Sequence, residues 1–98
     1  MKIKFDFDSI QLNINDLLRK CGYRSIKSRK GDLSYVRTLR SGNYPRFHIY
    51  VNDYGFNLHL DQKAPSYSGS HAHNASYQGE LVKKETKRIR QILNSYKK

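Results

Sequence analysis

Apolar and polar positions alternate through the first residues, with Ile3, Phe5 and Phe7 on one side and Lys2, Lys4 and Asp6 on the other. That period of two predicts a half-buried strand over residues 2–7. Ile10, Leu12 and Ile14 continue an alternation after Asp8 and Ser9, which allows either a short hairpin or a loop leading into a helix. Ile14, Leu17, Leu18 and Cys21 then fall at i, i+3, i+4 and i+7, a single helical stripe. Asn13 is placed to cap that helix, Asp16 suits its positive end, and Gly22 suits the position that stops it. At this spacing Cys21 reads as a core residue and not as a nucleophile.

Two weakly patterned strands follow, near 23–29 and 33–40, joined by Lys30-Gly31-Asp32. Tyr23, Ile26, Leu33, Tyr35, Val36 and Leu39 do not fall on one face each, as in a twisted or edge hairpin whose charges discourage edge pairing. Ser41 to Pro45 is a turn cluster. The clearest hairpin comes next. In strand 46–51 Phe47, Ile49 and Val51 oppose His48 and Tyr50, and in strand 56–62 Phe56, Leu58 and Leu60 alternate with Asn57, His59 and Asp61. Residues 64–77 form a long polar loop, a kind of segment that is usually functional or disordered. A helix over 79–96 closes the chain, with Leu81, Val82, Glu85, Ile89, Ile92, Leu93 and Tyr96 inward and Lys83, Lys84, Lys87, Arg88 and Arg90 largely outward. The predicted fold is α+β, an antiparallel sheet of four to five strands with two helices on one face, in the order β-(β)-α-β-β-β-β-loop-α.

Composition narrows this further. Ninety-eight residues make one domain (1–98), and a 37 % hydrophobic share makes its core thin. Eight tyrosines and four phenylalanines, with no tryptophan, supply much of the apolar area. The single cysteine excludes an internal disulfide and a cysteine-based zinc site. No apolar run reaches the ~20 residues of a membrane span. The first six residues are too charged for a signal peptide, so the chain reads as cytosolic.

The net charge of +11 is unevenly spread. Residues 23–47 and 78–98 are strongly basic, whereas the stretch between them is nearly neutral and holds all four histidines. Such blocks favour a polyanion, because each neutralised phosphate releases counterions. Lys27, Arg29, Arg37, Arg40 and Arg46 from the first block, and Lys83, Lys87 and Arg90 from the last helix, are the expected phosphate contacts. Interleaved tyrosines (44, 50, 54, 67 and 77) can stack on unpaired bases, which puts RNA ahead of DNA. A membrane surface is not an expected partner, because the basic helix is half committed to the core.

The hairpin carries the candidate chemistry. Its apolar residues must share one face, so only parity-preserving registers are allowed. A four-residue loop over 52–55 sets His48 across from His59; a two-residue loop at Tyr54-Gly55 sets it across from Asp61. In both, His48, His59 and Asp61 share the non-core face. His71 and His73 join them if the long loop folds back. A His pair beside a carboxylate can run acid–base chemistry, including RNA cleavage through the 2′-hydroxyl. His48, His59, His71 and His73 together could instead hold a divalent metal, although their spacing matches no standard zinc signature. No cofactor beyond such a metal is implied. Three readings stay open: an RNA-binding protein, a small His- or metal-dependent ribonuclease or hydrolase, and a protein-interaction module whose long loop orders on a partner. Each is compatible with a monomer or homodimer.

Asn43 to Val51, Leu58 to Lys63, Pro65-Ser66-Tyr67 and His71-Ala72-His73 together resemble a family of short uncharacterised prokaryotic proteins, over most of the chain and most closely from 43 to 89. The resemblance implies no activity. The family's acidic Gly-Glu-Tyr-Asp-Gly pattern is replaced here by Asn74 to Gly79, so no role requiring carboxylates there carries over. In element order, and in the Leu17 to Tyr23 helix end, the chain is also similar to small RNA-cleaving toxins with a double-stranded-RNA-binding-like fold. It departs from them in its N-terminal strand, an additional strand and the long loop.

Overall fold

The computed structural model describes residues 1–62 and 75–98. Its elements are β1 (Lys2–Lys4), α1 (Ile14–Lys20), β2 (Arg24–Lys27), β3 (Leu33–Thr38), β4 (Arg46–Asn52), β5 (Gly55–Asp61) and α2 (Ala75–Ser95), with a 3-10 turn at Phe7–Ser9. The strands make one antiparallel sheet in the order β1-β5-β4-β3-β2. Strands β2 to β5 are thus a meander, and β1 closes the β5 side. The α+β class expected from the periodicities is the observed one.

Local chemistry sets most boundaries. The Asn13 side chain accepts from the Asp16 N–H at 2.8 Å, capping α1, and Gly22 leaves the helix at φ +94°. β1 stops sooner than the alternation predicts, because Asp6 accepts from the Asp8 N–H at 3.0 Å and turns the chain. The optional hairpin over 10–14 does not form. Ile10 instead bridges to Lys97, and the Gln11 N–H donates to Tyr96 O at 2.8 Å, so the chain after α2 is tied back to this segment. α2 begins at Ala75, which places residues 75–77 in a helix and not in the expected loop.

Among the described residues, both helices pack on one side of the sheet. Ile3, Tyr35, Phe47, Ile49, Phe56 and Leu58 meet Leu17, Leu18 and Cys21 of the α1 segment and Ile89 and Leu93 of α2. Fully burying an aliphatic or Phe side chain contributes about 1.5–3 kcal/mol, so these few residues dominate the hydrophobic term. Cys21 belongs to this core, and burial pushes its thiol up to about 11, which makes it a poor nucleophile. Val51, expected inside, is 37 % exposed. It pairs with Phe56 next to the β4–β5 turn, and Ile49 is the last residue of β4 that is buried in the core.

One polar cluster is embedded between α2 and the sheet. Glu85, 4 % exposed, accepts from the Tyr23 hydroxyl and from Arg88 Nε and Nη2 (both 2.8 Å), and pairs with Arg37 at 3.6 Å. Arg88 Nη2 also donates to Cys21 O, tying α2 to the end of α1. Burial, then the hydrogen bond to Glu85, raises the Tyr23 phenol far above its ordinary value, so it stays a donor. The same hydrogen bond raises Arg88. A buried carboxylate is tolerable only with this many partners.

Two stability outcomes are expected. Glu85→Ala leaves Arg37 and Tyr23 without their acceptor and Arg88 with Cys21 O alone, and should cost on the order of 3 kcal/mol in urea unfolding. Gly55 sits at φ +143°, and a Cβ there would collide with Ile3 O. Gly55→Ala should therefore displace β1 and cost on the order of 2 kcal/mol, with amide exchange accelerating at Ile3 and Phe5 before the core.

Candidate functional site

The β4–β5 turn is Asp53-Tyr54, with Asn52 paired to Gly55, and the resulting register places His48 across from His59 and Arg46 across from Asp61. This is the first of the two registers the alternation allows. His48, His59 and Asp61 accordingly share the sheet face on which, among the described residues, no helix packs. β3 adds Val36 directly across from His48, and Arg24 of β2 lies across from Val36. The row Arg24–Val36–His48–His59 thus runs across four strands of that face.

His48 is not a solvated cross-strand neighbour. It is 8 % exposed, and both ring nitrogens are engaged: Nδ1 lies 3.0 Å from Asp61 Oδ2 and Nε2 lies 2.8 Å from Ser34 Oγ. A carboxylate can only accept, so Asp61 takes the Nδ1–H. In the neutral ring Nε2 is then a lone pair, and the Ser34 hydroxyl donates to it. Arg46 Nε donates to the same Asp61 oxygen at 3.3 Å and holds the carboxylate from its other side. Arg46 also lies over the Tyr44 ring, 4.6 Å from its centroid. Tyr50 stacks on the imidazole at 4.4 Å and 24°, and the residue is 47 % exposed. His59 meets Tyr50 edge-on at 5.6 Å. Among the described residues no buried side-chain polar atom lacks a partner.

Ser34 and Val36 are buried on this face although neither belongs to the helix-covered core. Sequence reasoning missed Ser34. Its place follows from pairing Tyr35 with Ile49, and that register depends on the span of the β3–β4 connection, which no periodicity encodes. The one available signal was that Ser34, Val36 and Thr38 alternate with Tyr35 and Arg37.

A cleft of about 450 Å³ opens beside this cluster, with Lys27 at the end of β2 and Arg29 and Lys30 from the β2–β3 connection on its wall and Ser34, His48 and Tyr50 among its lining. Lys83 lines a separate cleft along β5 with His59 and Met1. The other expected phosphate contacts are dispersed. Arg37 points to Glu85 and Arg46 to Asp61. Arg40 is exposed in the bend after β3, and Lys87 and Arg90 are exposed on α2, the layer covering the opposite sheet face.

The metal reading changes with these contacts. With both nitrogens of His48 engaged, neither is free to ligate, and among the described residues no three His, Cys, Asp or Glu side chains form a metal-binding group. His71 and His73 lie outside the described residues, as does most of the polar loop expected over 64–77. No helix is long and apolar enough to cross a membrane, among the residues described.

Desolvation, followed by repulsion from the N-terminal amine, lowers His59 below its ordinary value near 6.5, outweighing attraction to Asp61. The folded protein thus holds fewer protons at this site than the unfolded chain, so stability falls as pH drops below 6.5. His59→Gln should show a shallower loss of stability on acidification through that window, and the His59 ring resonances of the wild type should titrate below 6.5. Comparison with family models, with curated proteins and with solved structures found no match to this chain.

Proposed function

We propose that this protein binds single-stranded nucleic acid, RNA foremost, on the helix-free face of its sheet. The observation that carries the reading is Tyr50, a residue 47 % exposed on a sheet face, whose ring is backed by a stacked imidazole. A ring fixed this way offers its free side to an unpaired base, at little entropic cost because His48 already orients it. Cations surround it: Lys2, Lys4 and Arg24 are exposed at strand positions sharing the face, and Lys27, Arg29 and Lys30 line the adjoining cleft. Stacking together with phosphate neutralisation is how sheet faces hold single strands. In this arrangement the first basic block supplies phosphate contacts directly, whereas Lys87 and Arg90 on the helix layer act only through the long-range field.

Fluorescence anisotropy with a short single-stranded RNA tests the reading. Affinity should fall steeply and linearly in log–log form with salt. Tyr50→Ala should weaken binding by about 1–3 kcal/mol, the range for a lost base–aromatic stack. Lys27→Ala with Lys30→Ala should reduce the salt slope, and Lys87→Ala with Arg90→Ala should do much less. A flat salt response, or tighter binding to duplex than to single strand, would remove the proposal.

A further inference from the structure

We propose that Ser34, His48 and Asp61 form a nucleophilic relay that hydrolyses carboxylic esters bearing a negative charge, independently of any nucleic-acid contact.

The three groups come from three adjacent strands, β3, β4 and β5, and the relay runs diagonally across the sheet, since Val36 and His59 lie directly across from His48 and Asp61 lies across from Arg46. Each is held by backbone pairing on a rigid element and not by a loop, the condition for precise placement of a reacting group. Distances of 2.8 Å from Ser34 Oγ to His48 Nε2 and 3.0 Å from His48 Nδ1 to Asp61 Oδ2 are within hydrogen-bond reach for base and orienter. The direction of each bond matters more than its length. Asp61 takes the Nδ1–H, which leaves Nε2 to receive the serine proton, the tautomer a serine nucleophile requires. Arg46 anchors Asp61 and the Tyr50 ring covers the imidazole, so both partners of Ser34 are fixed before any substrate arrives. Ser34 is only 7 % exposed and borders the cleft of about 450 Å³. That volume suits a small molecule or a chain end and not a duplex.

Geometry also selects the reaction. In an in-line phosphoryl displacement the leaving group departs opposite the nucleophile, beyond the reach of the histidine that activated it. In acyl transfer both oxygens are attached to one tetrahedral carbon, so His48 alone can serve each in turn. Ser34 Oγ adds to the ester carbonyl carbon while its proton passes to His48 Nε2, with Asp61 facing the imidazolium. The bond from that carbon to the alcohol oxygen breaks, and His48 returns the proton to the departing alkoxide. A water molecule then gives a proton to Nε2 and attacks the acyl–Ser34 ester. Its collapse releases the carboxylic acid and restores the serine hydroxyl. Lys27, Arg29 and Lys30 would hold a carboxylate or phosphate carried elsewhere on the substrate.

The test uses the full chain and a fluorophosphonate, with intact mass and peptide mapping as the readout. One adduct on Ser34 is expected, absent in Ser34→Ala. Asp61→Asn can donate to Nδ1 and so reverse the tautomer. It should slow labelling by at least about 100-fold while circular dichroism stays that of the wild type. With 4-nitrophenyl hemisuccinate as the charged ester and 4-nitrophenyl propionate as the neutral one, Lys27→Ala with Lys30→Ala should raise KM about tenfold for the former alone. No adduct on Ser34 in folded protein, or unchanged labelling in Asp61→Asn, would reduce Ser34 to a structural partner of a buried imidazole and overturn the proposal. An equal KM change for both esters would overturn its charge selectivity.

Discussion

Strand β4 is central in the sheet, and the two sides of its backbone are solvated very differently. Phe47 and Ile49 must enter the helix-covered core, and strand parity then forces His48 and Tyr50 onto the opposite face. The pairing with β5 is set by the same demand, since a one-residue slip would bury His59 and Asp61 and expose Leu58 and Leu60. The contacts of His48 with Asp61 and of Tyr50 with His59 inherit this register, whereas the contact with Ser34 follows from the pairing of β3 with β4. The same constraint produces the hydrophobic core and the polar relay on its back.

The core itself is thin, and its helix–sheet joint is partly ionic. Placing Glu85 against Arg37, Arg88 and Tyr23 brings no net gain over a well-packed apolar cluster of equal volume. What it contributes is direction. The carboxylate has partners only where α2 meets both the end of α1 and the β2–β3 hairpin, so it discriminates against sliding of α2 along the sheet. Arg88, reaching Cys21 O as well, joins the two helices at the same point.

The helix-free face follows a different logic. Burying an imidazole, a serine hydroxyl and most of a carboxylate outside the main core is costly unless each finds a partner, and here each does. Such a network fixes orientation in return for little stability. It leaves Tyr50 as an exposed ring with a settled attitude and Ser34 as a hydroxyl with a settled proton direction. The proposed binding through the ring and the proposed chemistry through the hydroxyl are separable uses of one arrangement.

Much of this was legible in the chain alone. The alternation in 46–62 is strict enough to put His48, His59 and Asp61 on one face, and Asn13, Asp16 and Gly22 mark α1 because capping is local chemistry. The stripe containing Ile89 and Leu93 identifies α2, although its start at Ala75 precedes the apolar pattern and is not signalled by it. Other features depend on distances between segments that periodicity does not measure. Weakly patterned β3 could not be aligned with β4, so neither Ser34 beside His48 nor Val36 across from it could be anticipated. Arg37 and Arg46 read as free cations because charge is visible in a sequence and its partner is not. The sequence by itself determined which side chains share a face, since that follows from the backbone's period of two. Only the tertiary structure decided which of them touch, because contact across strands depends on register, turn length and twist together.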